Sequence, residues 1–96
     1  MYHMISMPEF DELYRKQPTI SVLDVREAYE YRMGHIPGSQ SVPLSEFPVT
    51  LEKNKPYYVI CQSGGRSVMA CQHLSQQGYN VTNVMGGMSC WRGEVE

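Results

Sequence analysis

Hydrophobic and polar residues follow two patterns that alternate along the chain. Stretches with helical spacing are separated by short runs of β-branched and aromatic residues, which are typical of strands. The first helix begins with a capping box, in which Ser6 is the N-cap and Glu9 completes the box. The predicted elements are, in chain order, a helix over 7–16, a strand over 19–25, a helix over 27–33, a strand near 41–42, a helix over 45–52, a strand over 57–60, a helix over 67–77 and a strand over 81–84.

This order of elements predicts an α/β fold. Strands that alternate with helices usually pair in parallel, and the crossover helices then cover both faces of the sheet. The strand over 57–60 is almost entirely apolar or aromatic, as expected of a central strand. We therefore predict a three-layer fold with a mainly parallel central sheet. A chain of 96 residues is close to the usual size of one core, so residues 1–96 are expected to form a single domain.

Composition and charge narrow the possible partners. Hydrophobic residues make up 42% of the chain and charged residues 19%, which favours a folded globule over a disordered chain. The net charge is −2, and no basic block suggests binding to nucleic acid or to an anionic membrane. The longest apolar run, 57–61, is far shorter than the roughly 20 residues that cross a bilayer, and the first residues show no secretion signal. We therefore expect a cytoplasmic monomer.

The three cysteines, Cys61, Cys71 and Cys90, are predicted to be reduced thiols. An odd number cannot form a closed set of disulfides, and the chain has no C-x-x-C pair of the kind found in structural zinc sites. Neither a metal site nor a cofactor is expected. Cys71 lies on an apolar stripe of the helix predicted over 67–77, which indicates core packing.

The clearest chemical signal is a cysteine at the C-terminal end of the predicted central strand. The loop that follows Cys61 consists of Gln62, Ser63, Gly64, Gly65, Arg66 and Ser67. In open α/β sheets, ligands bind beyond the carboxyl ends of the strands. A small, glycine-rich loop can turn its N–H groups inward, and the following helix adds the positive end of its dipole. This setting favours the thiolate, so Cys61 is predicted to be a nucleophile rather than only a small buried residue.

Four segments resemble, in order, the motifs of the single-domain rhodaneses, a family of sulfurtransferases that form a persulfide. The resemblance covers residues 5–91, and four motifs in register make it specific. The segments are Leu23–Glu27, Gly34–Ser39 with Val42–Leu44 after it, the loop that begins at Cys61, and Met85–Met88 followed by Trp91.

The resemblance implies a reaction and a role for the loop. Cys61 would attack a sulfur donor such as thiosulfate and keep the outer sulfur as a persulfide, which cyanide, a thiol or a sulfur-accepting protein would then remove. The backbone amides of 62–67 would hold the negatively charged persulfide. Arg66 would orient an anionic donor or acceptor, or would hold the loop through a salt bridge.

Two other functions remain open at this stage. Cysteine-dependent phosphatases and arsenate reductases of a similar fold carry five residues between the cysteine and the arginine, whereas four residues separate Cys61 from Arg66. The shorter ring favours a sulfur atom over a tetrahedral oxyanion. The second alternative is a persulfide carrier or binding module that acts only with a partner protein.

Four further residues are predicted to have supporting roles. Asp24 and Arg26 lie two residues apart at a strand end, on the same face, which favours an ion pair that holds the loops. His35 precedes a turn and is expected to hydrogen-bond backbone rather than to move protons. Cys90 lies in the final turn, where it could resolve the persulfide as a disulfide if the fold brings it near Cys61.

Overall fold

Five short strands and three α-helices make up the fold. In the computed structural model, which describes residues 1–96, the strands are β1 (His3–Ile5), β2 (Ser21–Asp24), β3 (Gln40–Ser41), β4 (Tyr57–Ile60) and β5 (Val81–Val84). The α-helices are α1 (Met7–Lys16), α2 (Ala28–Arg32) and α3 (Gly65–Gln76). Two 3-10 helices, Leu44–Glu46 and Gly87–Cys90, complete the elements. None of the helices has the length and apolar character that a membrane crossing requires.

The strands form one sheet in the order β1-β5-β4-β2-β3, and every pair is parallel. The predicted α/β class and parallel sheet are therefore confirmed. β4 is central, and its last residue, Ile60, pairs with Asp24 at the end of β2. The segments that follow these two strands consequently leave the sheet side by side, at the edge where parallel sheets bind ligands.

The core lies in two clusters, one on each face of the sheet. The helix α3 buries Ala70, Cys71 and Leu74 in one cluster, and α1 buries Phe10 in the other. Cys71 is fully buried, and burial raises the pKa of its thiol to about 12. The prediction that Cys71 packs in the core is thus confirmed, and at neutral pH this thiol stays protonated.

Local sequence signals define α1 well. The Ser6 hydroxyl accepts a hydrogen bond from the Glu9 amide at 3.2 Å, and the Ser6 amide donates to the Glu9 carboxylate at 3.2 Å. This reciprocal capping box satisfies two amides that a helix start would otherwise leave unpaired. The helix covers residues 7–16, as predicted.

Five predicted elements differ from the structure. The strand predicted over 19–25 covers only Ser21–Asp24, and the helix predicted over 27–33 covers only Ala28–Arg32. The helix predicted over 45–52 is wrong, since only Leu44–Glu46 forms a 3-10 turn and Pro48 cannot donate the amide that a helix interior requires. The strand predicted near 41–42 lies one residue earlier, at Gln40–Ser41. The helix predicted over 67–77 begins at Gly65, because Gly64 adopts the left-handed conformation (φ +113°) and serves as its N-cap.

The strand β1 was not predicted. It has three residues, with Met4 exposed, and its pattern is too short to indicate a strand. Its parallel pairing with β5, near the other end of the chain, holds it in the sheet.

Candidate active site

Cys61 follows β4 directly and is only 1% exposed. Its sulfur accepts a hydrogen bond from the Gly64 amide, with a nitrogen–sulfur distance of 3.0 Å. The loop therefore turns at least this N–H group inward toward the sulfur, and access to the thiol from solvent is narrow.

Hydrogen bonds around the sulfur favour its anionic form. Burial alone would raise the pKa of Cys61, but bonds from the Ser67 hydroxyl and from the amides of Ser67, Gly64 and Ser63 outweigh it, and the pKa is lowered. As a thiol, Cys61 donates to the Ser67 oxygen at 3.4 Å while the Ser67 hydroxyl donates to the Gly64 carbonyl at 3.1 Å. When Cys61 is ionised, the single Ser67 proton is the one that bonds to the sulfur instead. The start of α3, at Gly65, adds the positive end of a helix dipole to the same region.

The second 3-10 helix, Gly87–Cys90, holds the Cys61 loop through backbone hydrogen bonds. The Met88 amide donates to the Cys61 carbonyl at 2.8 Å, and the Ser89 amide donates to the Gln62 carbonyl at 2.9 Å. Gly87 has a φ of +60°, and a Cβ at this position would collide with the Cys61 carbonyl oxygen. Only glycine allows so close an approach, which is the physical reason for a glycine at position 87.

A buried ion pair holds the neighbouring loops. Arg26 binds Asp24 through its Nε at 2.9 Å and its Nη2 at 2.7 Å, and both residues are at most 5% exposed. The same guanidinium donates to the Gly34 carbonyl at 2.8 Å and contacts the Gln62 side chain at 3.4 Å. The predicted pair is therefore present, and it joins the segments that follow β2, α2 and β4.

Arg66 forms a second ion pair; a salt bridge was one of its two predicted roles, but its partner, Glu30, was not predicted. Its Nη1 and Nη2 bind the two carboxylate oxygens of Glu30 at 2.6 and 2.9 Å. The bonds from Arg66 hold the pKa of Glu30 at about 2. Glu30 also accepts a hydrogen bond from the Glu27 amide at 3.0 Å, as in a capping box, and in sequence it looks like an ordinary capping residue of α2.

Comparison with known proteins identifies the family. A family model described as a rhodanese-like domain matches residues 6–94. The chain belongs to the rhodanese-like family. The resemblance noted in the sequence is thereby confirmed, and this membership supports a role in sulfur transfer.

Two relatives and a solved structure agree with this assignment. The chain is 37% identical over 95 residues to the "Putative sulfurtransferase YtwF" of Bacillus subtilis (strain 168), with 96% of this chain and 92% of that protein covered. It is 40% identical over 96 residues to the "Putative sulfur carrier protein YrkF" of the same organism, but it spans only 52% of that protein's length. The crystal structure of a rhodanese-like domain protein from Staphylococcus aureus matches with a TM-score of 0.89 at 31% identity, covering 98% of this chain and 96% of that one.

Two other candidates in this rhodanese-like chain lie outside the loop. The His35 Nδ1 lies 2.8 Å from the Tyr31 carbonyl, and its ring stacks on Tyr31 with centroids 3.7 Å apart, so the prediction of a backbone-bonded histidine is confirmed. Cys90 is exposed, its sulfur lies against Gly86, and it hydrogen-bonds to no residue of the Cys61 loop. Its role as a resolving thiol stays a prediction.

Replacing Ser67 with alanine is expected to raise the pKa of Cys61, because the thiolate loses a hydroxyl donor. The smaller thiolate fraction should slow alkylation of Cys61 by iodoacetamide at pH 7 on the order of tenfold. The pH profile of the alkylation rate, measured in a Cys90→Ser background, has a midpoint that gives the apparent pKa of Cys61 in each variant. Ser63→Ala is the matched control, since it keeps the amide that faces the sulfur, and equal midpoints for Ser67→Ala and the parent would contradict the assignment.

Proposed function

We propose that this chain is a sulfurtransferase in which Cys61 carries the transferred sulfur as a persulfide. The observation that supports it most directly is the Gly64 amide, which donates to the Cys61 sulfur at 3.0 Å within a loop that lowers the thiol pKa. A thiolate at neutral pH is the form that attacks a sulfane sulfur.

The reaction follows from the chemistry of the loop. The Cys61 thiolate attacks the outer sulfur of a donor such as thiosulfate, a new S–S bond forms, and the donor's own S–S bond breaks as sulfite leaves with the electron pair. A thiophilic acceptor then takes the outer sulfur and restores the Cys61 thiolate; with cyanide the product is thiocyanate. The loop amides stabilise the negative charge of the persulfide between the two steps.

The burial of Cys61 is compatible with this role. An S–S bond is about 2.05 Å long, so a persulfide extends its reactive outer sulfur beyond the cysteine sulfur itself. The acceptor therefore need not reach the Cys61 sulfur, which is part of a residue only 1% exposed. Its relative YrkF is described as a putative sulfur carrier protein, which supports a protein among the partners of this chain.

The phosphatase or arsenate reductase alternative fits the site less well. Such enzymes use the loop arginine on the oxyanion, whereas both terminal nitrogens of Arg66 bind Glu30. The four-residue spacing between Cys61 and Arg66 also leaves a smaller ring of amides.

The proposal is tested on the unmodified protein by intact mass spectrometry after exposure to thiosulfate or to a low-molecular-weight persulfide. The expected result is a gain of one sulfur atom that cyanide removes, and peptide mapping without reductant should assign it to the peptide that contains Cys61. Protein alkylated beforehand should gain nothing. A gain that maps to Cys90, or no gain with either donor, would contradict the proposal.

A further inference from the structure

Arg66, the one cationic residue of the Cys61 loop, is already paired with a carboxylate. Arg66 uses Nη1 and Nη2 on the two oxygens of Glu30, and the Glu30 side chain is only 19% exposed. Its bonds with Glu30, together with the charge of Cys61, raise the pKa of Arg66. The guanidinium is thus close enough to sense the Cys61 charge, but a carboxylate cancels most of the attraction that it could offer an anion.

The other arginine that contacts the loop is neutralised in the same way. Arg26 binds Asp24 through Nε and Nη2, and its Nη1 contacts the Gln62 side chain. Both members of this pair are buried, so the charge of Arg26 is not available to a ligand at the loop.

The six remaining cations of the chain lie outside the Cys61 loop and form no hydrogen bond with it. Two lie in exposed ion pairs on α1, on the opposite face of the sheet from α3, and two lie over tyrosine rings at the start of β4 and before β5. One donates to the Ser89 carbonyl, and the last stands two positions from Glu30 on α2, on the other side of that helix. In this order they are Arg15 and Lys16, Lys55 and Lys53, Arg92, and Arg32.

This distribution of charge favours one class of sulfur donor. Thiosulfate is a dianion, and the two arginines that contact the Cys61 loop, which could offset its repulsion from the thiolate, are both paired with carboxylates. Inward-facing amides can stabilise one negative charge in the loop. A thiol persulfide presents the same sulfane sulfur with at most one negative charge on its reacting sulfurs.

We propose that Glu30 is a positioning residue that sets donor selectivity: by holding Arg66, it makes this enzyme favour thiol persulfides over thiosulfate. The inference rests on the proposed role of Cys61. In the favoured reaction the Cys61 thiolate attacks the outer sulfur of R–S–SH, the new S–S bond forms as the donor's S–S bond breaks, and RS⁻ leaves with the electron pair. The outer sulfur keeps its hydrogen, and no further oxidant or reductant is needed.

The test compares the second-order rate constants for sulfur loading of Cys61 by thiosulfate and by the persulfide of 2-mercaptoethanol. In Glu30→Gln, the ratio of the thiosulfate constant to the persulfide constant should rise about tenfold, because Arg66 is released to bind an anion. The introduced amide would keep a side-chain oxygen for the Glu27 amide, so the start of α2 should survive. The double variant Glu30→Gln/Arg66→Gln should lose the gain. Glu12→Gln, which removes a carboxylate from an exposed pair on α1, is the matched control and should leave the ratio unchanged.

A second measurement needs no variant. With thiosulfate, the wild-type loading rate should rise with ionic strength, since salt screens the repulsion between two anions, whereas the rate with the less charged persulfide should change less. A thiosulfate rate that falls with salt, or an unchanged ratio in Glu30→Gln, would overturn the selectivity while leaving the Cys61 persulfide intact. If neither donor loads sulfur on Cys61, the proposed function fails as well.

Discussion

Cys61→Ser is expected to abolish sulfur transfer, with a rate about 10³-fold or more below that of the wild type. A serine hydroxyl is not ionised at neutral pH, so the inward amides of the loop would have no thiolate to stabilise. The rate is measured as thiocyanate formed from a sulfur donor and cyanide, and persulfide formation by intact mass on the same samples.

The other two cysteines provide the controls for this prediction. Cys71→Ala removes a protonated core thiol and Cys90→Ser an exposed one, and neither should lower persulfide formation by more than a few-fold. Transfer that persists in Cys61→Ser, or that disappears in Cys90→Ser, would assign the nucleophile to a different residue.

Asp24→Ala is expected to lower the free energy of unfolding by about 3–5 kcal/mol, because it leaves the Arg26 guanidinium buried without its carboxylate. The carboxylate accepts hydrogen bonds from the Arg26 amide, Nε and Nη2, and it is fully buried. Since small domains are stable by only about 5–15 kcal/mol, a loss of this size should be plain in urea denaturation. Sulfur loading should fall as well, since Arg26 contacts Gln62 and Gly34.

An exposed ion pair on α1 is the comparison for Asp24. Glu12 and Lys16 each have side chains 70% exposed, and Glu12→Ala should cost less than about 1 kcal/mol. If Asp24→Ala does not fold, the conservative Asp24→Asn replaces it in the comparison. This variant keeps the shape of the side chain, and its loss of unfolding free energy should exceed that of Glu12→Ala. A loss for Asp24→Ala as small as that for Glu12→Ala would mean that the buried pair adds nothing to stability.

Two ion pairs give the loop different kinds of support. Asp24 and Arg26 are buried and join three connecting segments, so their removal is expected to affect the whole fold. Glu30 and Arg66 are partly exposed, and they tie α2 to the start of α3 beside the thiol. The first pair therefore acts mainly on stability, whereas we expect the second to act on which anions the site accepts.

Much of this molecule could be predicted from residues that are close in the chain. The capping box of Ser6 and Glu9 placed α1 at 7–16, because the hydrogen bonds that start a helix join residues three positions apart. The apolar run 57–60 indicated the central strand for a similar reason, since burial on both faces leaves a continuous apolar sequence. The position of the Cys61 thiol, facing a loop amide beside a helix start, could also be predicted, because a glycine-rich turn, a cysteine and the beginning of a helix are contiguous in the chain.

Features that depend on distant partners could not be predicted in this way. β1 has too few residues to carry a pattern and is defined by pairing with β5. The α-helix wrongly predicted over 45–52 is a different case, since Pro48, within the segment itself, opposes it. Glu30 and Arg66 are 36 positions apart, and both look ordinary until the fold brings α2 beside α3. Local hydrogen bonding and burial can be recognised from residues that are neighbours in the chain. The charge around the Cys61 thiol, in contrast, depends on side chains from distant segments, which meet only when the sheet has formed.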